Sequence, residues 1–311
     1  MQGTILIIGA NGFLGAKLCE VAGKRGFEVV PAGRGAGGTR VCDLLDPDSV
    51  AACLAATVPD VVVNLAGAPS VAASWRRPAE SFALNAGAVL NLLEATSVHA
   101  PAAHLVCLSS AAVYGEPAAT AMPLGEEEPV APVSPYGAAK AAMEVLCGQY
   151  RRSRGLRIAV VRAFNLVGPG QPAMHAASGL ARQIAVAERD GATSVVLGLG
   201  NPAAGRDYTD VRDAAAALIG IVAERLEGTY NLCSGRALSV AELAAQLAAA
   251  TRLEVTTRVE PALARPTDPP LLLGDPSRLR EASGLTAATS IGQSLADLLE
   301  WWRAELATAG R

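Results

Sequence analysis

Residues 4–15 read TILIIGANGFLG, a short apolar run followed by glycines at positions 9, 12 and 15. A run of strand length, a glycine cluster and then the helix-compatible AKLCEVAGK describe a strand, a tight turn and a helix in succession. Each glycine has its own physical use. Gly9 permits a sharp turn, Gly12 lets the backbone come close to an anion, and Gly15 lets the helix pack tightly on the sheet. The helix N-terminus then faces the anionic group, which favours a pyrophosphate. The segment is read as the phosphate-binding turn of a dinucleotide site, with Gly9, Asn11, Gly12, Phe13, Leu14 and Gly15 as its residues. The apolar core of a targeting signal is a poorer reading, because the stretch lacks a basic start and runs straight into turn-forming glycines.

Outward from this turn, apolar runs of strand length recur: EVVPAG at 28–33, RVCD at 40–43, DVVVNLAG at 60–67, HLVCLSS at 104–110 and LRIAVVRAF at 156–164. Helices are expected between them over 13–25, 47–56, 78–97 and 135–153. The alternation predicts an α/β fold, a Rossmann-type doubly wound parallel sheet with helices on both faces. After Phe164 the pattern loosens. Helices are expected over 178–189, 211–226, 239–250 and 291–306, and strands over 194–198 and 229–233, the last returning to the main sheet. The expected division is a nucleotide-binding domain of residues 1–164 joined by 211–233, and a smaller C-terminal substrate-binding lobe of 165–210 and 234–311.

The 311 residues are 51% hydrophobic, enough to bury a large core. The net charge is −3 and the longest basic runs noted are the RR pairs at 76–77 and 151–152, so no phosphate-backbone footprint is present and nucleic acid is not an expected partner. No run approaches the ~20 apolar residues of a membrane span. The six cysteines, Cys19, Cys42, Cys53, Cys107, Cys147 and Cys233, are scattered without ligand spacing. They are read as buried thiols of a cytoplasmic protein that holds neither disulfides nor a metal.

The end of the second strand is where an acid would accept the ribose hydroxyls of NAD(H). Gly33 and Arg34 stand there instead, and a guanidinium can pair with a 2′-phosphate, so NADP(H) is preferred and NAD(H) is the alternative. Asp43, with Leu44 beside it, is a candidate for the adenine amino group, or a cap on the following helix. In SPYGAAK, residues 134–140, Ser134 suits an N-cap and Pro135 the first helical position, which places Tyr136 in the first turn and Lys140 on the same face. An ammonium near a phenol lowers its pKa from ~10 toward neutrality and makes it a general acid or base.

These motifs, GxxGxxG at 9–15, NLAG at 64–67, Asn85, SSAAVYG at 109–115, YxxxK at 136–140 and RAFNLVGPGQ at 162–171, stand in an order that resembles the extended short-chain dehydrogenase/reductase family in its nucleotide-sugar branch, from residue 4 to about 303. AGRDYTDVRD at 204–213, YNLCSGRALS at 230–239 and RPTDPPLLLGDPSRLR at 265–280 look like segments of GDP-4-dehydro-6-deoxy-D-mannose reductases. The resemblance implies Tyr136 as proton donor, Lys140 as its electrostatic partner and ribose ligand, and Ser110 as the hydroxyl that polarises a carbonyl. It implies that Asn85 supports the lysine through a water, and that Leu65, Ala66, Gly67 and Ser109 also line the cofactor. Asn165, Arg182, Arg206 and Arg265 are implied for the substrate's phosphates or nucleotide. The chain departs from the family at GAPSVAASW (67–75), at RAF in place of RPF, and at NPAAG (201–205).

In related 4,6-dehydratases the two positions after the catalytic hydroxyl hold an acid and a base, and in reductases that also epimerise the second is a cysteine. Here they are Ala111 and Ala112, which leaves hydride transfer alone. The expected activity is NADPH-dependent reduction at C4 of a nucleotide-activated 4-keto-6-deoxyhexose, with GDP preferred. A 4-epimerase holding NAD tightly and a non-catalytic NADP-sensing protein are the alternatives. A homodimer is implied through helices at about 85–97 and 136–150, with Ala139, Met143 and Leu146 either outward or in the core. Glu126, Glu127 and Glu128 are expected in water, His99, His104 and His175 have no partner spacing, and Trp301 and Trp302 read as packing of a terminal helix.

Overall fold

The first strand, β1 (Thr4–Ile8), has no polar face: Ile5, Leu6, Ile7 and Ile8 are all buried. Leu6 and Ile8 belong to one hydrophobic core and Ile5 and Ile7 to another, so both sides of the strand are covered. That is why its sequence is continuously apolar rather than alternating. The computed structural model of the chain describes residues 2–35, 37–263, 269–284 and 288–309.

In the first half, α1 (Phe13–Lys24), β2 (Glu28–Gly33), β3 (Arg40–Val41), α2 (Pro47–Thr57) and β4 (Val61–Asn64) follow β1. Three helical segments come next, α3 (Val71–Arg76), α4 (Pro78–Phe82) and α5 (Ala88–His99), then β5 (His104–Ser110), α6 (Pro135–Arg154) and β6 (Arg157–Ala163). The second half holds β7 (Asn165–Val167), α7 (Ala176–Arg189), β8 (Ser194–Leu199), β9 (Gly205–Asp210), α8 (Val211–Ala223) and β10 (Gly228–Leu232). It ends with β11 (Ala237–Ser239), α9 (Val240–Ala248), β12 (Glu254–Val259), β13 (Leu271–Leu272), α10 (Ser277–Ser283) and α11 (Ile291–Ala309).

Seven strands form one parallel sheet in the order β10-β6-β5-β4-β1-β2-β3, the doubly wound arrangement. The order reverses at β1, which pairs with β2 on one side and β4 on the other, so a crevice opens at the carboxyl ends of β1 and β4. Residues 228–232 add the last strand beside β6. Beyond the sheet, β9 pairs with β7, β11 and β13, and β8 pairs with β12. A separate core there gathers Leu180, Ile184, Leu243, Leu247, Leu298 and Trp302. The Trp302 indole donates to Ser178 Oγ at 2.9 Å, so the C-terminal tryptophans do serve packing.

The helix expected over 78–97 differs in one respect. It is interrupted by a π-helical turn at Ala83–Gly87, with α4 before it and α5 after. The turn accommodates Asn85, which is buried and donates through Nδ2 to the Ser81 carbonyl at 2.9 Å and to the Ala68 carbonyl at 3.2 Å. Such turns are frequent at functional sites. Strand β9 is invisible to the apolar pattern because its sequence, GRDYTD, is polar, yet all six residues are buried. Its two aspartates are supplied with donors: Asp207 accepts from Ser234 and Gly235, and Asp210 caps α8 and accepts from Arg212 and Ser294.

Candidate active site

The glycine turn meets its steric expectations. Gly9 has φ +87° and a β-carbon there would stand 2.9 Å from the Ala66 nitrogen, so β1 can approach the NLAG loop only as glycine. Gly12 is the N-cap of α1 and no side chain caps that helix, which leaves its first amides directed at the crevice. These features fit a dinucleotide's pyrophosphate at the start of α1. The side chains of Leu14 and Leu44 are buried in the two cores, so only their main chains are left to meet a ligand. Asn11 and Arg34 are exposed, Arg34 just past the end of β2. Asp43 does not cap α2; Asp46 does, while Asp43 Oδ1 accepts from the Leu45 amide at 3.1 Å.

Leu65, Ala66 and Gly67 continue from β4, and their loop is shaped by Asn64, whose Oδ1 accepts from the Ala66 amide at 3.1 Å. A β-carbon on Gly67 would lie 2.6 Å from Asn85 Oδ1 and 3.6 Å from Lys140 Nζ. Gly67, Asn85 and Lys140 therefore meet at one point, although 73 positions of sequence separate the first from the last.

The helix carrying Tyr136 is capped twice. Ser134 Oγ accepts from the Gly137 amide at 3.1 Å, and Ser74 Oγ, from α3, accepts from the Tyr136 amide at 3.2 Å. Pro135 has no amide to satisfy, so the first turn needs no water and Tyr136 is held in a dry place. Gly137 lets this turn close on the Ala111–Tyr114 segment, since a β-carbon there would be 2.5 Å from the Ala112 carbonyl oxygen. Sequence reasoning missed Ser74 because its partner is 62 residues away and GAPSVAASW offers no local pattern.

Tyr136 and Lys140 both reach the end of β5 from α6. Ser110 hydrogen-bonds the Tyr136 phenol, and Lys140 Nζ donates to the Leu108 carbonyl at 2.8 Å. The expected electrostatics are corrected, however. Burial pushes the Tyr136 phenol above its ordinary value, opposed only by the Ser110 hydrogen bond, and burial lowers Lys140 to about 8. A dry site penalises both charged forms, and the lysine is engaged by a backbone carbonyl, so its charge does not bring the phenol to neutrality. The phenol is protonated at neutral pH.

The Ser109 hydroxyl is buried and donates to Glu144 Oε1 at 2.5 Å, which leaves the main chain of Ser109 as the part that could line a cofactor. Ala111 packs in a small core with Tyr114, Leu124 and Phe164, and only Ala112 is partly exposed. Glu126 does not face water: its side chain accepts from the Asn231 amide at 2.8 Å. Ala139 and Met143 are fully buried and Leu146 packs on the same core, which resolves them as core residues.

On the substrate side Asn165 is exposed at the start of β7, and the following GPGQ loop brings Gly170 against the Phe13 ring. Arg206 is buried on β9 and donates to the Gly205 carbonyl at 2.6 Å. Arg182 is exposed on α7 with its guanidinium 5.8 Å from the Trp302 ring centre. Arg265 lies outside the described residues. Among the described residues no helix is long and apolar enough to cross a membrane.

The profile of the NAD dependent epimerase/dehydratase family matches residues 5–233. GDP-6-deoxy-D-mannose reductase of Pseudomonas aeruginosa is 34% identical over 265 residues, covering 85% of this chain and 86% of that protein. The structure of RMD from Pseudomonas aeruginosa complexed with NADPH superposes with a TM-score of 0.87 at 31% identity, covering 97% of this chain and 99% of that one. UDP-glucose 4-epimerase of Thermus thermophilus, in complex with NAD, superposes with a TM-score of 0.84 at 29% identity, covering 96% of this chain and 99% of that one.

Proposed function

The chain belongs to the NAD dependent epimerase/dehydratase family and is an NAD(P)-dependent oxidoreductase, and on that premise we propose that it uses NADPH to reduce the C4 ketone of GDP-4-dehydro-6-deoxy-D-mannose, giving GDP-D-rhamnose. The observation that carries this reading is a buried phenol on a hydroxyl, with alanines at the two positions where an eliminating acid and base would stand. Tyr136 hydrogen-bonds Ser110, and the two positions after Ser110 are alanines. The identity to the Pseudomonas reductase supports GDP and the keto sugar. The exposed Arg34 at the end of β2, where an acid would favour NAD, supports NADPH.

The pyrophosphate would be held at Gly9–Gly15, the adenosine end by Arg34 and Asp43, and the nicotinamide ribose by Lys140. When bound, the nicotinamide supplies the hydride. Tyr136, kept protonated by burial, gives its proton to the oxygen at C4. Ser110 donates a hydrogen bond to that same oxygen and so stabilises the charge it acquires. The Leu108 carbonyl holds Lys140, with Gly67 and Asn85 nearby, while Asn165, Arg206, Arg182 and Arg265 are assigned to the nucleotide diphosphate.

A 4-epimerase is the second reading, favoured by the likeness to the NAD-bound Thermus enzyme. The test follows NADPH oxidation with GDP-4-dehydro-6-deoxymannose, with NADH and a dTDP-keto sugar in parallel. Stoichiometric oxidation with GDP-rhamnose formed is the expected result. GDP-6-deoxytalose would change the sugar face assigned, and interconversion of an unmodified nucleotide sugar without net NADPH oxidation would replace the reductase by the epimerase.

We also assign a homodimer to the α4–α5 and α6 face, where Phe82, Leu90 and Val145 are exposed apolar residues. Light scattering that gives a monomer mass would remove it.

A further inference from the structure

Three consecutive residues at the end of β5 are each held by α6, at positions one helical turn apart. Ser110 hydrogen-bonds Tyr136, the Leu108 carbonyl accepts from Lys140 at 2.8 Å, and Ser109 Oγ donates to Glu144 Oε1 at 2.5 Å. Positions 136, 140 and 144 share one face of the helix. The first two contacts involve the residues assigned to the chemistry. The third does not.

Glu144 is fixed from the other side by Arg162 of β6. The guanidinium Nε lies 3.1 and 3.2 Å from the two carboxylate oxygens and Nη2 lies 2.8 Å from Oε2. Arg162 Nη1 donates to the Tyr114 hydroxyl at 3.0 Å and to the Glu126 carbonyl at 2.9 Å, and Tyr114 donates to Asn231 Oδ1 at 2.7 Å. Arg162 and Glu144 side chains are only 6% and 11% exposed. A buried ion pair loses in desolvation much of what it gains in attraction, so an apolar pair of the same volume would serve stability as well. What the apolar pair would lack is a directional acceptor for Ser109.

We propose that Ser109 and the Glu144–Arg162 pair are positioning residues that set the register of β5 against α6, and thereby the placement of Ser110 relative to Tyr136. The proposal rests on the assignment of Ser110 and Tyr136 to the chemistry. It gives the second serine of SSAAVYG a task of its own: Ser110 faces the reacting oxygen and Ser109 fixes where Ser110 stands. A displacement of the strand end by a fraction of its hydrogen-bond length would separate the hydroxyl from the phenol while leaving the cofactor turn at β1 untouched.

The test compares Ser109→Ala, Ser109→Thr and Tyr136→Phe with the unmodified protein. It measures kcat, KM, NADPH affinity by fluorescence, thermal midpoint and the NMR resonance of Tyr136 in protein labelled at the tyrosine ring carbon, identified by its loss in Tyr136→Phe. Ser109→Ala is expected to lower kcat by about 10- to 100-fold, to shift the Tyr136 resonance without any substrate present, and to leave KM and NADPH affinity within about twofold, with Ser109→Thr recovering most of the loss. An unchanged Tyr136 resonance and unchanged kcat in Ser109→Ala would overturn the proposal, as would a kcat loss that follows the thermal midpoint and is not recovered by threonine. Full turnover by Tyr136→Phe would instead overturn the assignment of the chemistry, so the two failures are told apart.

Discussion

A β-carbon on Gly15 would stand 2.1 Å from the carbonyl oxygen of Gly9 and 2.9 Å from the α-carbon of Ala10. The third glycine of the turn is thus the one with least room, because α1 begins directly against the end of β1. Gly15→Ala is expected to push the helix off the strand, costing about 1–3 kcal/mol of stability as an overpacked core does, and to weaken NADPH binding by tenfold or more. Chemical denaturation and a fluorescence titration measure the two effects, and an alanine variant with normal binding would contradict the assignment.

Tyr136→Phe removes the proposed proton donor while leaving Ser74 and Ser134 to cap the helix. Turnover should fall by about 10²–10⁴-fold, the range for loss of a general acid, with NADPH affinity nearly unchanged. Equal losses of affinity and turnover would mean that the phenol serves binding instead.

Lys140 titrates near 8 in the fold and at ~10.4 in an unfolded chain. The unfolded state binds the extra proton between these values, so stability rises with pH across that window and the buried ammonium costs most below it. Lys140→Met should therefore raise the unfolding free energy at pH 7 by roughly 1–3 kcal/mol, with the gain shrinking to nothing by about pH 10, and should abolish activity. Denaturation curves at pH 7 and pH 10 test the sign; a variant less stable at both would contradict it.

For the same group, kcat/KM of the unmodified enzyme should decline above pH about 8, because that ratio reports the free protein's groups. A profile flat to pH 9.5 would show that the charge on Lys140 is not needed.

Arg34→Ala should reduce the preference for NADPH over NADH by about 10- to 100-fold, the loss of a charged hydrogen-bonding partner worth about 1.5–3 kcal/mol. NADH affinity should stay within twofold. Equal weakening of both cofactors would assign Arg34 to the fold rather than to the 2′-phosphate.

The sequence by itself determined the doubly wound sheet, because the strands are buried on both faces and so appear as unbroken apolar runs, and because the steric demand at Gly15 is local. It also placed Tyr136 and Lys140 on one face of α6, since residues four apart on a helix share a face. What it left open was decided by contacts between distant segments. Ser74 reaches the amide of Tyr136, Glu144 accepts from the hydroxyl of Ser109, and polar β9 is buried because Ser234, Gly235 and Ser294 supply its aspartates with donors. Likewise the protonation of Tyr136 follows from how much water the folded site excludes, and the spacing of a tyrosine and a lysine along the chain contains no information about that.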